Sequence, residues 1–276
     1  MSLHQISNDA VSLVVDANIG RVTSLIDLRR KREWLIRGVP RPPENQEADF
    51  SGMHTYGWDE CFPTVGSCAV SEWGDTLRDH GDLWGRSWSI DCSNAHLSME
   101  YAAELYTFRR KIRLDGPRLH LDYELANKHP RPLPWLWSQH CLLNCKAGEV
   151  FQWEGLGSEF RDEEGNPTNP DRVHPWGSKR LSKSYASIPG AAVARIRGEC
   201  GSGSISFHFP PDGPVRHVGL WECYGSWPAD APRHEVAIEP TNLPFGRLDH
   251  ALRTGNATWL EAESRRQWSL LIELTE

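Results

Sequence analysis

Apolar and polar residues alternate with a period of two along most of the chain, helix signals are nearly absent, and no linker, repeat or low-complexity tract interrupts it. Together these predict one all-β domain of many antiparallel strands covering residues 1–276. The length agrees, since all-β sandwiches often run to ~200–250 residues.

The elements follow in order. Val11, Leu13 and Val15 recur with a period of two and read as a strand. Phe108, Arg110, Ile112 and Leu114 alternate with Arg109, Lys111 and Arg113. Asp115-Gly116 supplies a turn, and Leu119, Leu121, Tyr123 and Leu125 then alternate with His120, Asp122 and Glu124. That pattern is a long hairpin with one buried face. Residues 135–145 are apolar on both faces, as expected of a strand inside a sandwich. Residues 163–175 are polar and turn-rich and read as a long loop over one end. Ile205, Phe207 and Phe209 mark a later strand, and Trp268, Leu270, Ile272 and Leu274 the last one. The one helix candidate covers residues 247–253, with Gly255 placed to end it.

Composition excludes several classes of function. The chain carries 37 acidic and 30 basic residues, a net charge of −7, and no basic tract long enough to follow a phosphate backbone, so nucleic acid is not an expected partner. The densest basic runs, Arg29-Arg30-Lys31-Arg32 and Arg109-Arg110-Lys111, read as solvated faces. No apolar run reaches the ~20 residues needed to cross a bilayer, and residues 1–16 lack a basic start and an unbroken apolar core. No membrane partner is therefore expected. The seven cysteines, scattered from Cys61 to Cys223 and including Cys200, read as reduced thiols of a cytoplasmic protein.

Tryptophan is over-represented, with 13 indoles. Trp88, Trp135, Trp137 and Trp268 read as core. Trp58, Trp73, Trp84, Trp176, Trp221 and Trp227 stand beside Gly, Pro or acidic residues, where an indole face can cover the C–H side of a sugar ring.

Three places carry reactive groups. Asp79-His80-Gly81-Asp82-Leu83-Trp84-Gly85-Arg86-Ser87-Trp88 combines an imidazole, carboxylates, a guanidinium and two indoles around two glycines, which suits a ligand with many hydroxyls. In Trp137-Ser138-Gln139-His140-Cys141 an imidazole interrupts an apolar strand, as either a hydrogen-bonded core residue or a site residue. Glu239 ends the strand that Pro240 stops, as either an exposed carboxylate or a partly desolvated one. Desolvation would raise its pKa above the ~4.3 reference and make it a better base.

His80-Gly81 followed by Arg86 and Trp88, the strand of His140, Gly219-Leu220-Trp221, Glu239-Pro240-Thr241 and the closing Trp268-Ser269-Leu270-Leu271-Ile272 stand in the order found in the aldose 1-epimerase (galactose mutarotase-like) family, which the sequence resembles over most of its length. The resemblance implies a large antiparallel β-supersandwich with very little helix. It implies an isomerase that interconverts the anomers of an aldose by ring opening, with no cofactor and no metal. Glu239 would be the base on the anomeric hydroxyl and His140 the acid at the ring oxygen. His80, Arg86, Trp84, Trp58, Asp59, Trp176 and Trp221 would bind the sugar. Where many family members carry an Asn-Arg pair, this chain has Tyr56-Gly57-Trp58-Asp59-Glu60-Cys61-Phe62-Pro63, which leaves galactose and glucose specificity unassigned.

Three other readings are open. One is a carbohydrate-binding protein without catalysis on the same fold. Another is a glycosidase pairing Asp59 or Glu60 with Glu239. The third, a metal site of His140, Cys141 and Cys145, is disfavoured because neighbours on a strand point to opposite faces.

Overall fold

Alternating side chains give each strand one face for a core and one for chemistry, and the chain uses this in two large sheets. A computed structural model describes residues 2–39, 50, 55–199 and 201–276. Among the described residues the larger sheet has eleven strands and the smaller eight. Every ladder within them is antiparallel, as the alternation predicts.

The middle of the larger sheet runs Arg21–Asp27, Trp58–Cys61, Ser138–Leu143, His234–Thr241, His217–Tyr224, Leu181–Ser187. The smaller sheet centres on Ser204–Phe209, Arg265–Thr275, Arg118–Asn127 and Tyr106–Asp115. Between the sheets lies one apolar cluster. Trp58, Cys141, Val218, Leu220, Val236 and Ile238 enter it from the larger sheet, and Phe108, Ile112, Leu121, Phe207 and Ile272 from the smaller. Trp88, Trp135, Trp137 and Trp268 are all buried in it, as expected.

The predicted hairpin is present. Tyr106–Asp115 pairs with Arg118–Asn127, Asp115 faces Arg118, and Gly116 turns the chain at φ +54. The helix is present at Leu248–Arg253, and Gly255 follows it with φ +71. Residues 135–145 differ from the expectation of one strand. Leu133–Trp135 pairs with Thr258–Leu260, and the chain then bends into Ser138–Leu143, because Asn242 Oδ1 takes the Trp137 amide at 2.7 Å. The polar stretch 163–175 contains a two-residue strand, Pro167–Thr168, pairing with Phe160–Arg161.

The reading of both basic runs as solvated needs correction. Arg110 lies on the buried face of its strand, as the alternation itself requires, and its guanidinium is fully covered. It donates to Glu60 Oε1 at 2.7 Å, and Trp137 Nε1 donates to Glu60 Oε2 at 2.8 Å. Burial pushes the Glu60 carboxyl up to about 7 even so. In the other run, Arg32 reaches Glu149 at 2.8 Å and lies over the Trp34 ring. The six described cysteines are free thiols, and Cys200 lies outside the described residues. No helix among the described residues is long and apolar enough to cross a membrane.

Removing one partner of a buried ion pair leaves the other charge uncompensated, a loss of about 3–5 kcal/mol. Arg110→Ala should lower the urea-derived unfolding free energy by that amount, and adding Glu60→Gln should restore part of it. A loss under about 1 kcal/mol for the single variant would show that the pair is solvated.

Candidate functional site

Asp59, His140 and Glu239 sit on the face of the larger sheet turned away from the core. Ladder pairing explains the grouping. His140 pairs with Asp59 on one side. On the other side Ser138 pairs with Thr241 and Cys141 with Ile238, a register that sets His140 opposite Glu239. Period two then adds Cys61, Ser138, Glu235, Trp221, Lys183 and Tyr185 to the same face.

His140 and Glu239 are each fixed through one atom. Asp59 Oδ1 lies 3.1 Å from His140 Nδ1, and its other oxygen pairs with the buried Arg21 guanidinium. Burial alone would raise the Asp59 carboxyl, but Arg21 and then His140 outweigh it and hold it well below the usual range. An ionised Asp59 makes Nδ1 the donor, which leaves His140 Nε2 for another partner. Glu239 Oε2 pairs with Lys183 Nζ and accepts from Ser138 Oγ at 3.3 Å, which leaves Oε1.

Glu239 is buried, yet the upward shift that desolvation alone would give it does not occur. Burial raises its pKa, but the Lys183 and His140 charges overcome burial and place it below the ordinary glutamate value. Lys183 reaches Glu239 across an intervening strand, which presents Gly219 between Glu239 and Tyr185. A Cβ on Gly219 would lie 3.2 Å from the Tyr185 ring and 3.4 Å from Glu239 Cβ. The Tyr185 hydroxyl is buried beside this gap with no hydrogen-bond partner.

His80 comes from a loop rather than the sheet. His80 and Gly81 are both left-handed, at φ 58 and 70, and a Cβ on Gly81 would strike the Phe62 carbonyl at 2.1 Å. Asp82 N donates to Phe62 O, which ties the loop to the end of the Trp58–Cys61 strand. His80 thereby stands 4.8 Å from His140, ring centre to ring centre, and Phe50 stacks on it at 3.7 Å. Burial lowers the His80 pKa although Asp79 opposes the shift. The sulfur of Cys61 and one nitrogen each of His80 and His140 lie within 4.8 Å of one another.

The other expected residues divide. Trp221 is on this face, half-buried, and its Nε1 donates to Glu235 Oε1 at 3.1 Å. Glu235 Oε2 has no partner, and burial raises this carboxyl. Trp58 is not on this face: its register turns it into the core, under Arg110. Trp84 is buried, donates to the Asp79 carbonyl at 2.8 Å and supports Phe50 edge-on. Trp176 is exposed and stacks on His234, whose position on its strand faces away from Glu239. Arg86 pairs with Asp82 at 2.7 Å and lines a separate cavity of about 1340 Å³ with Tyr101 and Tyr106. Glu60 faces the core, so it cannot join Glu239 as a glycosidase pair. Lys183, Ser138, Arg21, Cys61, Glu235 and Phe50 were not singled out from the sequence. Ser138 and Cys61 were legible by period two from His140 and Asp59, whereas Lys183, between Ser182 and Ser184, carries no such signal.

No protein-family model and no curated protein sequence matches the chain. Solved structures do match. The galactose mutarotase related enzyme of Lactobacillus acidophilus superposes with a TM-score of 0.73 at 13% identity, over 99% of this chain and 97% of that one. A galactose mutarotase-like protein of Lactobacillus casei gives 0.70 at 15% identity, over 99% and 100%. A protein provisionally named an aldose 1-epimerase, from Escherichia coli K12, gives 0.70 at 13% identity, over 99% and 98%. The fold is that of the galactose mutarotase-like proteins.

If Asp59 fixes the ring, neutral His140 should carry its proton on Nδ1. Nitrogen NMR of the histidine rings should show this tautomer in the wild type and its loss in Asp59→Ala. A proton on Nε2 of the neutral wild-type ring would contradict the assignment.

Proposed function

We propose that the protein is an aldose 1-epimerase-like mutarotase, with Glu239 as base and His140 as acid. The observation that carries this reading is the pair itself. A carboxylate and an imidazole stand in facing registers on one sheet face, each anchored by a counter-charge and each with one atom left over.

The chemistry needs two proton transfers. Glu239 Oε1 takes the proton of the anomeric hydroxyl while His140, acting as the imidazolium with Nδ1–H held by Asp59, gives its Nε2 proton to the ring oxygen and becomes the neutral Nδ1–H ring, and the bond between the anomeric carbon and that oxygen breaks. The aldehyde end rotates, and the ring recloses with both protons returned, giving the other anomer. Lys183 keeps Glu239 ionised and therefore able to accept, at the cost of a weaker base than an isolated buried carboxylate. His80 and the Tyr185 hydroxyl hold sugar oxygens, and the Trp221 indole covers the C–H face of the ring. A solved relative named as a galactose mutarotase related enzyme shares the fold, which supports this class of reaction.

Polarimetry or NMR exchange on a panel of freshly dissolved aldose anomers tests the proposal. Glu239→Gln should slow exchange at least ~10²-fold on the sugar the wild type turns over, with binding retained. Wild-type rates in Glu239→Gln would remove Glu239 as the base. Binding without acceleration for every sugar would make the protein a carbohydrate binder.

A further inference from the structure

Spacing along the chain shows no ligand motif, yet the fold gathers a thiol and two imidazoles from three distant segments. We propose that Cys61, His80 and His140 form a binding site for one borderline-soft divalent cation of the zinc type, and that this cation competes with a sugar for His140. The first half is independent of the mutarotase reading, and the second half rests on it.

The donor set selects the ion. One sulfur and two imidazole nitrogens suit zinc or cobalt and are poor ligands for magnesium or calcium. Metal–ligand lengths of ~2.0–2.3 Å put the ligand atoms of a tetrahedral site roughly 3.3–3.7 Å apart. The three atoms here lie within 4.8 Å before any ion draws them in, a difference that side-chain rotation can close. Three protein ligands leave a fourth position for water.

The surroundings are those of a ligand set. Asp59 accepts from His140 Nδ1 and is itself held by Arg21, the carboxylate–histidine arrangement that orients a metal-binding imidazole. His80 Nδ1 is buried and lies 3.2 Å from Asp79 Oδ1, a second carboxylate beside a ring of the set. The left-handed backbone at His80 and the Phe50 ring against it fix where that imidazole points. Cys61 is buried and unbridged. On coordination the Cys61 proton passes to solvent, and His140 Nε2, now a ligand, can neither give nor receive a proton.

The full chain, stripped with a chelator, should be titrated with Co²⁺ in the absence of sugar. One equivalent should produce tetrahedral visible bands and a thiolate-to-cobalt charge-transfer band. That band should vanish in Cys61→Ser and Cys61→Ala, read side by side so that misfolding of one leaves the other, and persist in Cys92→Ser, whose thiol is exposed. His80→Ala and His140→Ala should each weaken Co²⁺ binding at least tenfold. No thiolate band at one equivalent, or one that survives both Cys61 variants, would overturn the site. Saturating Zn²⁺ should stop anomer exchange and chelation restore it, and exchange undisturbed by bound zinc would overturn the competition. A metal-free protein that accelerates no sugar would instead count against the mutarotase reading, with the cobalt result unaffected.

Discussion

An ionised carboxylate cannot be buried in a sheet without a cation or several hydrogen-bond donors beside it. Asp59 and Glu60 are adjacent in sequence and both covered, and strand alternation sends them to opposite faces. On the core face Glu60 is met by Arg110, Trp137 and Tyr123. On the other face Asp59 is met by Arg21 and His140. Both arginines, Arg21 and Arg110, end on one of these two neighbouring carboxyl groups.

The site is the outer half of this arrangement extended across the sheet. Arg21, Asp59, His140, Glu239 and Lys183 come from five different strands, and two ion pairs with Asp59 and one with Glu239 tie them together. Such groups lose little order when a ligand binds, since packing and ion pairs already hold them. Their electrostatics also bear on stability. Asp59 and Glu239 are held below their ordinary values of 3.8 and 4.5, so the stability they contribute is complete above those values. It is lost as pH falls through the lowered folded values.

Much of the fold was legible because period two is a local signal. The hairpin around Gly116, the closing strand and the helix before Gly255 needed only neighbouring residues. Partners across the sheet were not legible, because ladder register depends on residues tens to hundreds of positions apart. Lys183 lies 56 residues from Glu239, and its effect opposes the upward shift that desolvation alone would give Glu239. Arg86 and Trp58 lie off the face of His140 and Glu239 for a related reason: a motif fixes which residues are near one another but not which face each one takes. Cys61 shows the converse, since two steps along the strand from it lies Asp59, already singled out.

The central claim is that Lys183 holds Glu239 as an ionised base against its burial, and the acid limb of the exchange rate reports on it directly. Without the cation, burial raises the Glu239 pKa, and the base form is lost at a higher pH as the solution is acidified. The pH–rate profile of Lys183→Met, measured beside the wild type on the same sugar, should therefore have its acid limb displaced to higher pH. An acid limb unmoved by Lys183→Met would contradict the account.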